Sequence, residues 1–130
     1  RIRAAAPLVL AHVDAARVLG SRHDLSCAVA NLLDNATRYA ADKAEVSLRR
    51  DGAHAVLCVE DDGPGIPPPD RDRVFERFVR LDPGRGRAAG GAGLGLAVVR
   101  ETASAHGGVA TVTDSALGGA RFVLELPLAP

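Results

Sequence analysis

Apolar and polar residues follow two different rhythms along this chain, and the changes of rhythm mark out its elements. Residues 8–13 form a short apolar run that reads as a strand. The period then becomes helical: Leu25, Val29, Leu32, Leu33 and Ala36 fall at i, i+4, i+7, i+8 and i+11, which is one buried face. Ser21, with Asp24 three residues on, predicts where that helix starts. Strand rhythm resumes over residues 46–50 and 53–61, with Asp51-Gly52 as a hairpin turn between them. Residues 63–69 hold too much glycine and proline for a helix or a central strand. A short helix carrying Phe75 and Phe78 is predicted over residues 70–80, and residues 81–91 read as loop. Residues 94–105 are helical, with Leu96, Val99 and Ala103 on one side and Gly107-Gly108 as the stop. Two last strands, residues 109–113 and 120–126, are joined by a turn at Leu117-Gly118-Gly119. About five strands and about three helices, with one sheet face to cover, predict an α+β fold. It is a two-layer α/β sandwich with a mixed sheet.

Composition narrows this only a little. A length of 130 residues fits a single domain, 1–130, around one core. Aromatics are 3%, so Ala, Val and Leu must fill that core around Phe75, Phe78, Phe122 and Tyr39. A net charge of zero gives no reason to propose nucleic acid or a membrane surface as partner. Cys27 and Cys58 sit inside apolar runs and read as small buried hydrophobes in a reducing compartment. No apolar stretch approaches membrane-spanning length, and no signal-peptide pattern is present. The chain opens on Arg1 without Met and reads as a domain of a longer protein.

Three motifs carry the chemistry. On the first helix, Asn31, Asn35, Arg38 and Tyr39 fall at i, i+4, i+7 and i+8, a polar stripe beside the apolar one. Neutral amides offer oxygens to a cation without adding charge, and Mg²⁺ held mainly by phosphates and water needs only one or two of them. Arg38 suits phosphate and Tyr39 offers a ring to a base. In Asp61-Asp62-Gly63-Pro64-Gly65-Ile66, Asp61 shares parity with Ala55, Leu57 and Val59, so its carboxylate points to an apolar face and needs a donor. An exocyclic amine such as adenine's would serve. Gly63 and Gly65 let backbone pass close to a flat ring, and Asp62, of opposite parity, is expected in solvent. In Gly91-Ala92-Gly93-Leu94-Gly95-Leu96 the glycines expose N–H groups at a helix start, where the dipole favours an anion. The glycine spacing is not that of a dinucleotide fingerprint, and no Gly-Lys-Ser/Thr follows as in a Walker A loop. Arg71, Arg73, Arg77, Arg80, Arg85 and Arg87 crowd the segment before this motif, which reads as a lid over about residues 70–92. Arg80 is the candidate to reach a terminal phosphate.

These residues resemble a known family. Residues 31–39 resemble the N box of sensor histidine kinases, residues 60–67 the G1 box, residues 74–80 the F box, and residues 91–100 with 105–108 the G2 box. The resemblance runs from about residue 8 to residue 128. It implies the catalytic and ATP-binding domain of such a kinase, with a Bergerat fold and a flexible ATP lid. By position, Asn35 would be the main Mg²⁺ ligand, with Asn31 beside it on the triphosphate. Asp61 would take the adenine amine, and Tyr39 would pack on the base. Gly63, Gly65 and Ile66 belong to the same end. Arg38 and Arg80 would contact phosphates, and Gly91, Gly93, Leu94, Gly95 and Leu96 would wrap them. The F-box phenylalanines would anchor the lid.

Hydrolysing members of the wider family, and its serine-kinase branch, usually carry Glu where this chain has Asn31. Glu can act as a base on water or a hydroxyl, and an amide cannot. Asn31 therefore points away from a stand-alone ATPase or serine kinase, and toward transfer to a nucleophile already competent, such as histidine. The family often has Ser or Thr where this chain has Ala92, so one phosphate contact is missing. His23-Asp24-Leu25-Ser26 echoes the phospho-acceptor sequence but lacks its Arg and Pro and lies at the start of the N-box helix. His12, His54 and His106 have no acceptor context either. The acceptor is expected on a dimerisation helix upstream of Arg1. The partners implied are that dimerisation domain and, through it, a response regulator. A third reading is a module that binds nucleotide only to change its partner contacts.

Overall fold

The computed structural model describes residues 7–77 and 95–130. Within them lie five strands: β1 (Leu8–Val13), β2 (Ala44–Asp51), β3 (His54–Asp61), β4 (Val109–Asp114) and β5 (Ala120–Pro127). They form one sheet in the order β1-β2-β3-β5-β4. β1 runs parallel to β2, and every other neighbouring pair is antiparallel, so the sheet is mixed. Helix α1 (Arg22–Tyr39) and helix α2 (Gly95–Ala105) pack against each other over one face of that sheet.

Helix α1 starts where the sequence places it. The Ser21 hydroxyl accepts the Asp24 N–H at 3.1 Å and so satisfies one of the free donors of the first turn. Its most buried side is Ala28, Leu32 and Ala36, a slight rotation from the predicted stripe; Leu25 and Leu33 flank that line and pack against it. Small side chains on the deepest line let the helix approach the sheet closely. The β2–β3 hairpin turns at Gly52, whose φ of 60° suits the Asp-Gly pair.

Along β5, Ala120, Phe122, Leu124 and Leu126 alternate into the core, and Ala55 and Val59 of β3 do the same. Phe122 is fully buried and meets Phe75 edge-to-face, with ring centroids 6.0 Å apart at 82°. Phe75 is thereby the point at which the 68–77 segment is fastened to the core.

That segment departs from the helix predicted over residues 70–80. Through residue 77 it forms two short 3₁₀ turns, Pro68–Asp70 and Arg73–Phe75, and Glu76 is already extended. Pro67, Pro68 and Pro69 preset φ for the first of these turns, and the Pro67 and Pro68 carbonyls accept the Asp70 and Arg71 N–H groups at 2.9 and 3.3 Å. The arginines here are tied down. Arg71 donates to Asp114 at 2.7 Å and to the Ile66 carbonyl at 3.1 Å, and Arg77 grips Glu101 of α2 with two hydrogen bonds of 2.9 and 3.0 Å. Arg100 stacks on Phe75 at 4.7 Å. Most of the expected lid lies outside the described residues.

Candidate nucleotide-binding site

Asp61 is the last residue of β3 and is fully buried, as its parity with Ala55 and Val59 requires. Its Oδ1 accepts the N–H of Gly63 at 2.9 Å and of Ala120 at 3.2 Å. Its Oδ2 is buried with no partner among the described residues. An acidic oxygen left so is costly, by about 1–3 kcal/mol or more, until a donor arrives. The two occupied lobes fix the carboxylate's rotamer, and the vacant one defines where that donor must stand.

The turn after Asp61 needs glycine for close packing and for its backbone conformation. A Cβ on Gly63 would collide with the carbonyl oxygen of Tyr39, so the end of α1 rests directly on this backbone. Gly65 has φ +72°, in the left-handed region that glycine enters without penalty. Ile66 follows, buried in the core, and anchors the turn.

Asp62 is a correction. It does not simply face solvent: its carboxylate accepts the consecutive N–H groups of Ala41, Asp42 and Lys43 at 2.8, 3.0 and 3.1 Å. These bonds, that of Asp42 foremost, hold its acid below the usual carboxylate range. Asp62 thereby tethers the chain leaving α1 to the end of β3.

The polar stripe of α1 supplies the remaining candidate groups. Asn31 and Asn35 are both half-buried. Asn35 Nδ2 is buried without a partner among the described residues, a second orphan besides Asp61 Oδ2. Asn31 faces the start of α2: a Cβ on Gly95 would stand 3.4 Å from Asn31 Oδ1. The first N–H groups of α2 have no partner within their own helix and so suit an anion there. Leu96 packs against the core behind them. Among the described residues, no group of three or more His, Cys, Asp and Glu could hold a metal ion. The donors present are neutral amides, which fit a hard cation that brings most of its ligands as phosphate and water.

The other predicted residues are placed as follows. Tyr39 is the last residue of α1 and half-buried beside Gly63. Arg38 is on the exposed side of α1, where its Nη2 pairs with Asp34 Oδ2 at 3.0 Å. Arg80, Gly91, Gly93 and Leu94 lie outside the described residues. The turn between β4 and β5 falls at the predicted Leu117-Gly118-Gly119, but its ties to the end of β3 were not read from the sequence. There the Ser115 hydroxyl donates to Glu60 Oε1 at 2.8 Å and accepts the Leu117 N–H at 3.0 Å, while the Gly119 N–H reaches the Asp61 carbonyl at 3.1 Å.

This geometry can be set beside known proteins. The model of the family described as histidine kinase-, DNA gyrase B-, and HSP90-like ATPases matches residues 20–130. The chain belongs to that family. Within it, the chain is 55% identical over 98 residues to the sensor protein RstB of Escherichia coli K12, covering 75% of this chain and 23% of that protein. It is 47% identical over 113 residues to the sensor-like histidine kinase SenX3 of Mycobacterium tuberculosis H37Rv, covering 85% and 28%. The chain thus spans about a quarter of the length of these relatives. Among solved structures it resembles the mycobacterial sensor histidine kinase MprB, at 37% identity and TM-score 0.81, over 95% of this chain and 83% of that one. It also resembles the ATP-binding domain of PrrB from Mycobacterium tuberculosis, at 32% identity and TM-score 0.77, over 96% and 82%. The five-stranded mixed sheet with helices on one face is the architecture these family members share with this chain, and the Bergerat fold expected from the motifs is the one found.

Proposed function

We propose that this domain binds Mg-ATP and supplies the γ-phosphate to a histidine on a separate dimerisation domain, as the donor half of a sensor histidine kinase in two-component signalling. The observation that carries the reading is the unpartnered, buried Oδ2 of Asp61, held beside the tightly packed Gly63–Gly65 turn, together with the unpartnered Nδ2 of Asn35 on α1.

Asp61 accepts the adenine amine, and Tyr39 borders the base. Asn35 is the Mg²⁺ ligand, with Asn31 beside it. Gly95 and Leu96 open the helix whose N-terminus holds phosphate, with Gly91, Gly93 and Leu94 preceding it. Arg38 and Arg80 are the candidate phosphate contacts, and for Arg38 this requires exchanging Asp34 for the ligand. Magnesium, when bound, neutralises charge on the phosphates being separated. Asn31 holds the triphosphate but takes no proton, so water is not activated and the phosphoryl group awaits a histidine nitrogen. The chain's own His23 is exposed at the start of α1 and belongs to no acceptor arrangement.

The partners follow from this role: the parent's own dimerisation domain, in a homodimer, and a response regulator phosphorylated from it. An ATP-using domain of this kind works in the cytoplasm, with its parent in the cell membrane; among the described residues no helix is long and apolar enough to cross one.

Nucleotide titration of the wild type, Asn35→Ala and Asp61→Asn tests the site. Asn35→Ala is expected to remove the Mg²⁺ dependence of binding, and Asp61→Asn to erode the preference for adenine. Unchanged binding in both variants overturns the assignment. Adding the upstream helical domain should then yield phosphohistidine on that domain.

A further inference from the structure

We propose that the turn between β4 and β5, centred on Ser115 and Gly119, is the device that sets base specificity, by fixing which oxygen of Asp61 is left for the nucleotide. The proposal rests on the reading of Asp61 as the base acceptor. Gly119 and Ser115 touch no nucleotide in it; they are positioning residues.

The turn is closed on itself before it touches the site. Ser115 N–H donates to the Gly119 carbonyl at 2.9 Å, Gly118 N–H to the Ser115 carbonyl at 3.0 Å, and Leu117 N–H to the Ser115 hydroxyl at 3.0 Å. The closed turn is then hung on the end of β3 by three bonds. The Ser115 hydroxyl holds Glu60, Gly119 N–H holds the Asp61 carbonyl, and Ala120 N–H holds Asp61 Oδ1. With Gly63 N–H on the same oxygen, Oδ1 is saturated and Oδ2 is the one left unpartnered.

Gly119 is the hub of this arrangement. A Cβ there would stand 2.5 Å from the Asp61 carbonyl oxygen and 2.6 Å from Gly63 N, and closer still to Asp61 Oδ1. Two of these three neighbours are backbone, so they cannot swing aside. The remaining freedom is the Asp61 carboxylate itself, which a methyl group would push off the Ala120 and Gly63 amides. Gly65 packs against the same peptide, with its own Cβ position 3.6 Å from the Gly119 carbonyl. Displacement at Gly119 therefore falls first on the Asp61 carboxylate, since the Gly65 contact is an ordinary van der Waals one. The phosphate end, on α1 and α2, shares none of these contacts.

That separation makes the proposal testable. ATP and GTP affinities are measured by displacement of a fluorescent ATP analogue, alongside urea unfolding, for wild type, Asp61→Asn, Gly119→Ala, Ser115→Ala and Ser115→Thr. Gly119→Ala is expected to lower the ATP-over-GTP ratio tenfold or more, close to the effect of Asp61→Asn, with GTP affinity itself little changed. Ser115→Ala is expected to lower the ratio several-fold, and Ser115→Thr, which keeps the hydroxyl, to restore it. If Asp61→Asn leaves the ratio unchanged, the base-acceptor reading fails and the proposal with it. If Asp61→Asn lowers the ratio but Gly119→Ala keeps the wild-type ratio, or weakens both nucleotides equally, the positioning role alone is overturned. Should Gly119→Ala fail to fold, the Ser115 pair decides: equal ratios in Ser115→Ala and wild type overturn the proposal.

Discussion

His106 Nε2 accepts the backbone N–H of Ser21 at 3.1 Å, while its Nδ1 lies 2.7 Å from the Thr102 carbonyl oxygen. An amide can only donate and a carbonyl only accept, so the ring is held as the neutral Nδ1–H tautomer. The end of α2 is thus pinned to the start of α1, and the two helices that flank the site form one body. Gly20 lies against the imidazole so closely that a Cβ there would overlap it. Gly20→Ala should cost about 1–3 kcal/mol in urea unfolding. In a His106→Ala background most of that cost should vanish. A coupling energy near zero in the double-mutant cycle would show that the contact is not felt.

Asp62 predicts an acid-side loss of stability. Its folded acid is held below the ordinary value by the amides of Asp42, Lys43 and Ala41. The contribution is therefore complete above about pH 4, the unfolded value, and is lost as pH falls toward the lowered folded one. Asp14, held down first by the Arg50 N–H and then by His12, acts in the same sense. Unfolding midpoints followed from neutral pH downward should fall for the wild type. Asp62→Asn should start lower and converge on the wild type in acid.

Phe122→Ala should cost about 3–5 kcal/mol, because a fully buried ring leaves a cavity that small neighbours cannot close. Phe75→Ala should cost less than that in global stability. It should also loosen the 68–77 segment, read as faster amide exchange there.

The exposed clasps should matter little to global stability. Glu101→Gln breaks the Arg77 pair and Asp114→Asn the Arg71 pair, and each should shift stability by less than about 1 kcal/mol. Both shifts should shrink further at high salt. A larger loss would mean that the segment is held by its ion pairs and not by Phe75.

Wherever the order of small and large residues decides the outcome locally, the sequence was sufficient. Asp51-Gly52, the Ser21 cap and the parity of Asp61 with Val59 all fall where the pattern put them. The helix expected from residue 70 is replaced, through residue 77, by 3₁₀ turns and an extended Glu76, because Phe75 turns into the core against Phe122 and Arg77 reaches across to Glu101, contacts that local spacing does not show. The contacts of Asp62, Ser115 and Gly119 were illegible for the same reason. Their partners are Lys43, Glu60 and Asp61, distant in the chain and brought close only by strand pairing. Nothing in local spacing encodes such a meeting.

The bond from Ala120 to Asp61 spans 59 residues, and the one from Ser115 to Glu60 spans 55. The helix bearing Asn31 and Asn35 needs no such closure, since its bonds are local. The two ends of the proposed site therefore depend on contacts of very different range. A chain ending short of residue 115 already carries both asparagines and the Gly63 bond to Asp61, yet lacks the second bond, from Ala120, that completes the hold on its carboxylate. On the proposed reading of Asp61, discrimination between bases is thus the property that rests most directly on the β3–β5 pairing.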